Sequence, residues 1–111
     1  MQAVYRTGPL PESALDAAAA FHGNHLAAIR ALLADTPASL AVIFPSAGHD
    51  HRGWRRAAIA DLARAHAPIR VRGLVDGAPD AVAQTLVYFE TAEGVTGQLL
   101  STDGAHAEIG V

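Results

Sequence analysis

The chain has 111 residues, half of them hydrophobic and 17% charged, with a formal net charge of −3, which supports one folded core and excludes a disordered chain. All eight cationic side chains are Arg, and the missing Lys removes lysine Schiff bases, the phosphate-gripping lysine of a P-loop and tyrosine–lysine proton relays. The absence of Cys excludes disulfides and thiolate chemistry, and the mild acidity leaves no basic stripe for nucleic acid.

A short strand is predicted from Ala3 through Arg6, closed by Gly8, Pro9 and Pro11. Ser13, with Asp16 three residues on, marks the N-cap of a helix that ends at Asp35 before Thr36-Pro37. Leu15, Ala18, Leu26, Ile29, Leu32 and Leu33 recur at helical spacing along it. Gly23 sits inside this helix at a cost of about 1 kcal/mol relative to Ala, so a bend or a close packing contact is expected there. The uninterrupted run Ser39–Phe44 has the length and composition of a strand buried on both faces of a parallel sheet.

A polar loop follows, from Ser46 to Gly53. The next helix is predicted to start at Trp54 and end at His66, with Trp54, Ala58, Leu62 and Ala65 as its apolar stripe and Arg55, Arg56 and Arg64 pointing elsewhere. Ile69 opens a third strand that runs to Val75, and Asp76-Gly77-Ala78-Pro79 reads as a turn. Asp80 is the expected N-cap of a helix that ends at Glu93 before Gly94, with Tyr88 on its apolar face. A last strand starts at Gln98 and ends at Thr102, before Asp103-Gly104. The order β-α-β-α-β-α-β implies a single α/β domain: a parallel sheet of about four strands, joined by right-handed crossovers, with helices on both faces.

No segment reads as a targeting or membrane element, since the apolar run from Leu40 to Phe44 is far short of the roughly 20 residues a span requires. A cytoplasmic location is expected. Ala-rich, Arg-only usage further suggests a GC-rich bacterial genome.

Ala57-Ala58-Ile59, Leu62-Ala63, Ile69-Arg70-Val71, Val95-Thr96-Gly97-Gln98-Leu99-Leu100 and Asp103-Gly104 occur in the order seen in the second half of a short-chain dehydrogenase/reductase. That family reads Lys-Ala-Ala, a Leu-Ala helix, Ile-Arg-Val-Asn, Pro-Gly, then Thr-Gly-Gln before a strand and Asp-Gly-Gly. Upstream, Phe21-His22-Gly23-Asn24 resembles its helix with the catalytic Asn, and Val42-Ile43-Phe44-Pro45-Ser46-Ala47-Gly48 its strand ending in the catalytic Ser. The resemblance implies a half-length, three-layer Rossmann-like domain beginning at what would be the fourth strand.

Several of the family's parts are missing. No Gly-rich turn is present to place a pyrophosphate on a helix N-terminus. The Tyr and Lys of the family's catalytic pair fall on Arg52 and Arg56, and a guanidinium cannot act as a proton-donating phenol. The loop after Ser46 is shortened, the substrate lid is absent, and Asp76-Gly77 replaces Pro-Gly. Asn24 and Ser46 keep the residue types of the catalytic positions, and their structural alternatives are a helix-bend hydrogen bonder and a turn residue.

Other clusters have two readings each. His49-Asp50-His51 lies beyond a buried strand, where ligands bind in open α/β sheets; His49 and His51 could share a metal with Asp50 or His106, or belong to a solvated loop. His22 and His25, three apart, are a second candidate pair or surface histidines. Arg52, Arg55 and Arg56 could hold a phosphate or carboxylate at a helix start, or form a solvated face paired with Asp50 or Asp61. Trp54 is a stacking platform or a core residue.

The sequence therefore leads to a non-catalytic module with no cofactor, no nucleic acid and no membrane. The wide apolar helix faces favour a homodimer, and the family resemblance implies one of two surfaces for it: the helix from Ser13 to Asp35 with the helix from Trp54 to His66, or the helix from Asp80 to Glu93 with the strand from Gln98 to Thr102. The alternative is a residual NAD- or NADP-dependent oxidoreductase, or a nucleotide or small-ligand binder, acting with a partner that supplies the missing half.

Overall fold

The structure, a computed structural model, describes residues 1–102. Four strands, β1 (Gln2–Arg6), β2 (Ser39–Phe44), β3 (Arg70–Val75) and β4 (Leu99–Leu100), form a parallel sheet in the order β1-β2-β3-β4. Every residue of β2 is buried. Because side chains alternate across a strand, Leu40, Val42 and Phe44 enter one core layer while Ala41 and Ile43 enter the other. This is the physical meaning of an unbroken apolar run: a central strand has two inner faces.

Between β1 and β2 runs one long helix in three parts: α1 (Ala14–Ala20), a π-helical turn (Phe21–His25) and α2 (Leu26–Ala34). The Ser13 hydroxyl accepts from the Asp16 amide at 3.0 Å, so the predicted cap is present. The expected irregularity at Gly23 is the π turn itself, in which the Leu26 amide reaches back to the Phe21 carbonyl. A Cβ at Gly23 would meet nothing within 4 Å, so close packing is not its role. With α3 (Arg52–Ala65), this helix covers the face that carries Phe21, Ile29, Leu40, Phe44, Ile59 and Leu62.

The last helix, α4 (Pro79–Thr91), lies on the opposite face, where Val82 and Phe89 pack on Ala41, Ile43 and Leu74. In a sheet whose strands follow one another in a single direction, same-handed crossovers would place every helix on one face. The β3-α4-β4 connection therefore runs with the opposite hand to the first two. Right-handed crossovers throughout and helices on both faces were incompatible expectations for this strand order, and two-sided burial of β2 and β3 prevails.

Arg72 of β3, with no accessible surface, holds α4 to the sheet. Its Nε donates to the Val95 carbonyl and its Nη2 to the Ala92 carbonyl (2.8 Å) at the end of α4, and its guanidinium stacks over Phe89. Burial, then the neighbouring Arg70 charge, lowers its pKa, while Tyr88 opposes the shift.

Other expectations need correction. The third helix starts at Arg52, preceded by a 3₁₀ turn (His49–His51), so the expected loop from Ser46 to Gly53 is irregular only as far as Gly48; the helix ends at Ala65. Its inward face is Arg55, Ala58, Ile59 and Leu62, so Arg55 points into the protein, while Ala65 is exposed. Asp80 is not a cap: Ala78 holds that place with Pro79 in the first turn, which suits the missing proline N–H, and the helix stops at Thr91. Leu15 and Tyr88 are exposed, at 85% and 51%. The last strand is two residues long because the chain turns at Gly97 (φ +75°), where Gly is favoured, and pairs with β3 only at Gly73 and Leu74.

Candidate functional site

The carboxyl ends of β1, β2 and β3 open into a cavity of about 560 Å³. Its rim is crossed by an ion pair: Arg6 Nη1 lies 2.6 Å from Asp76 Oδ2. Arg6 ends β1 and Asp76 follows β3, so the pair spans the end of β2; adjacent strands are roughly 4.8 Å apart, a distance a long Arg side chain bridges twice over. Leu10 and Pro11 supply apolar wall on one side, and Pro45, Ser46 and Gly48 line the other. The site lies where ligands enter open α/β sheets, at the strand termini.

The inner wall is built from α3. Arg55, only 3% exposed, donates from Nη1 to the Pro45 carbonyl at 2.9 Å, and its guanidinium covers Phe44 and Trp54 at 5.0 and 5.6 Å from their ring centres. His51, 4% exposed, bonds through Nε2 to the Glu12 carbonyl at 2.8 Å and through Nδ1 to Trp54 Nε1 at 3.3 Å. An indole N–H can only donate, so Nδ1 of His51 is the acceptor and Nε2 carries the proton that goes to Glu12. Trp54 is thus a core side chain, packed on Phe21 and Phe44. Sequence reasoning missed both Arg55 and His51 as buried groups, since polar letters at a helix start read as solvated; the signal in Arg55 was its spacing to Ile59 and Leu62, one helical face.

The residues matched to catalytic positions do not share one place. Ser46 lines the cavity. Asn24 lies exposed on the π turn and does not line it. Arg52 borders a smaller adjoining hollow of about 200 Å³, where its Nη2 donates to Nδ1 of His49 at 3.0 Å. Arg56 is half-buried and lines neither. Asp61 pairs with Arg64.

The histidine pairs are also divided. Both ring nitrogens of His51 serve the protein, while His49 is exposed beside Arg52. His22 bonds to the Ala18 carbonyl, and His25 Nδ1 lies 2.7 Å from the Tyr5 hydroxyl. Among the described residues no group of three His, Asp or Glu side chains is placed to hold a metal; His106 and Asp103-Gly104 lie outside them. No helix among them is long and apolar enough to cross a membrane.

The segment after β1 does not suit a dinucleotide. The chain there is Gly8-Pro9-Leu10-Pro11-Glu12, and Ser13 already occupies the Asp16 amide at the start of α1. Glu12 and the first-turn Asp16 bring negative charge to the end where a pyrophosphate needs open amides.

Parallel strands, helices on both faces and a cavity at the strand termini define a Rossmann-like α/β protein. A family model described as short chain dehydrogenase-like protein (SDR-like) matches residues 5–102, and the chain belongs to that family. No curated protein and no solved structure matches it.

Proposed function

We propose that this chain is a non-catalytic member of the SDR-like family that acts as an assembly module and forms a homodimer. The observation that carries the reading is the guanidinium at both positions of the family's tyrosine–lysine pair, with Arg52 engaged by His49 instead of standing as a proton donor. A guanidinium keeps its proton throughout the accessible pH range, so it cannot relay one.

Of the two helix-based dimer surfaces, α4 with β4 is favoured. Val87 and Tyr88, 61% and 51% exposed, sit side by side on the outer face of α4. The other surface has one exposed large apolar side chain, Leu15 at the start of α1, and the outer faces of α2 and α3 show Ala27, Ala28, Ala31, Arg30, Asp61 and Arg64. Leu62, central to the expected helix-pair surface, is 5% exposed and belongs to the core, so changing it tests folding, not assembly.

Light scattering on the purified chain tests the reading. A dimer that becomes monomer in Val87→Asp and persists in Ala27→Glu supports it; a wild-type monomer, or a dimer indifferent to Val87→Asp, sinks the α4 surface.

The cavity favours a second reading, a small-ligand binder with no dinucleotide. NAD(P)H fluorescence titration should be flat under both readings, and micromolar cofactor binding would remove the non-catalytic proposal.

A further inference from the structure

Among the described residues, β1 is an edge of the sheet with no strand beyond it. Within a strand, the N–H and C=O of one residue point the same way and alternate between sides from residue to residue. The Thr7 amide bonds to Ile43 at 3.1 Å and the Met1 carbonyl accepts from Ala38 at 3.1 Å, so odd-numbered residues face β2. Gln2, Val4 and Arg6 therefore direct three amides and three carbonyls away from the sheet. Among the described residues no backbone partner meets them.

Protected edges usually carry Pro, a bulge or an unpaired charge. β1 reads Gln-Ala-Val-Tyr-Arg with regular pairing to β2, and its single charge, Arg6, is neutralised by Asp76 at 2.6 Å. Val4 is 45% exposed at its centre.

We propose that β1 pairs with the β1 of a second copy of this chain, antiparallel about a two-fold axis through Val4, to give one continuous eight-stranded sheet. The occupant is a second copy because the edge complements itself. With Val4 opposite the second copy's Val4, Gln2 falls opposite Arg6 and Arg6 opposite Gln2. All three outward residues become hydrogen-bonded pairs, six bonds in total, and no like charges oppose one another. A shift of register leaves bonding groups unmatched or moves Arg6 toward the second copy's Arg6. With three outward residues, the two-fold axis passes through the central hydrogen-bonded pair, and Val4 there is small enough to meet its own copy. Five residues make a small interface, so association is weak and concentration-dependent.

The lack of native cysteine provides the test, since one introduced thiol is the sole thiol present. Directly opposed Cα atoms in such a pair lie about 5.5 Å apart, within disulfide reach. Under mild oxidation at low micromolar concentration, Val4→Cys should form disulfide-linked dimer at least tenfold faster than Asp35→Cys, an exposed control at the end of α2. The same result is expected in a Val87→Asp background, which separates this edge from the α4 surface. Val4→Pro removes one outward amide without touching the β2 ladder, and should halve the scattering mass reached at high concentration; where it lowers the helical circular dichroism signal, Val4→Lys replaces it, setting two ammonium groups face to face. Cross-linking of Val4→Cys no faster than the control overturns the proposal, as does an unchanged mass in the folded Val4 variant.

Discussion

The Arg72 guanidinium lies over the Phe89 ring, 5.2 Å from its centre, and binds the sheet to the end of α4 through two carbonyls. Its lowered pKa means that the charge is a cost in the fold. That cost is present at neutral pH and diminishes only as pH rises through the folded-state value toward the unfolded one. Against it stand the two hydrogen bonds, since Ala92 and Val95 would otherwise lose the donor to their carbonyls. Arg72→Met keeps most of the volume and should lower stability by about 1–3 kcal/mol, with faster amide exchange in the last turn of α4. Urea unfolding and hydrogen exchange check both parts. Equal or greater stability would mean desolvation dominates.

Glu12 and Trp54 fix the tautomer of His51 from both sides, since a carbonyl can only accept and an indole N–H can only donate. ¹⁵N NMR should show Nε2 protonated and Nδ1 bare. Trp54→Phe should cost about 1–3 kcal/mol through the lost hydrogen bond and some packing, and should leave Nε2 protonated because the Glu12 carbonyl still requires a donor. A shift of the proton to Nδ1 in that variant would show that Trp54, not Glu12, sets the tautomer.

Gly73 sets the distance between α3 and β3. A Cβ there would lie 2.9 Å from Ile59 Cγ1 and 2.8 Å from Leu99 Cδ1. Gly73→Val should therefore destabilise by about 1–3 kcal/mol or more from overpacking, read as a lower midpoint in thermal unfolding. The double variant with Ile59→Ala should lose less than the sum of the two single losses, because removing the Ile59 side chain makes room for part of the added valine.

Ser13→Ala should lower stability by about 1 kcal/mol through the lost cap, while Ser13→Asp should be tolerated because a carboxylate accepts from the Asp16 amide and suits the helix N-terminus. Thermal unfolding of the two variants decides it: an unchanged midpoint in Ser13→Ala would show that α1 does not rely on this cap.

The cavity was only partly legible. Ser46 could be placed at its rim because it follows a recognisable strand. The Arg6–Asp76 pair joins residues 70 apart in sequence, and no local pattern connects them. For Arg55 and His51 the sequence leaves a ligand site and a solvated face both open, because a polar letter does not reveal helix rotation: α3 is turned so that Ile59 faces the sheet, which carries Arg55, one turn earlier, and His51, two turns earlier, inward as well.

Local physical chemistry in the sequence determined the alternation of strands and helices, the buried central strand Ser39–Phe44, the Ser13 cap and the irregularity at Gly23. These depend on periodicity, propensity and short-range hydrogen bonds. Tertiary structure decided which face received α4, how far β4 pairs, that Arg55 and Arg72 are buried over aromatic rings, and that β1 lies at the edge of the sheet among the described residues. Those outcomes depend on groups distant in the chain competing for two sheet faces of limited area, which no single segment encodes.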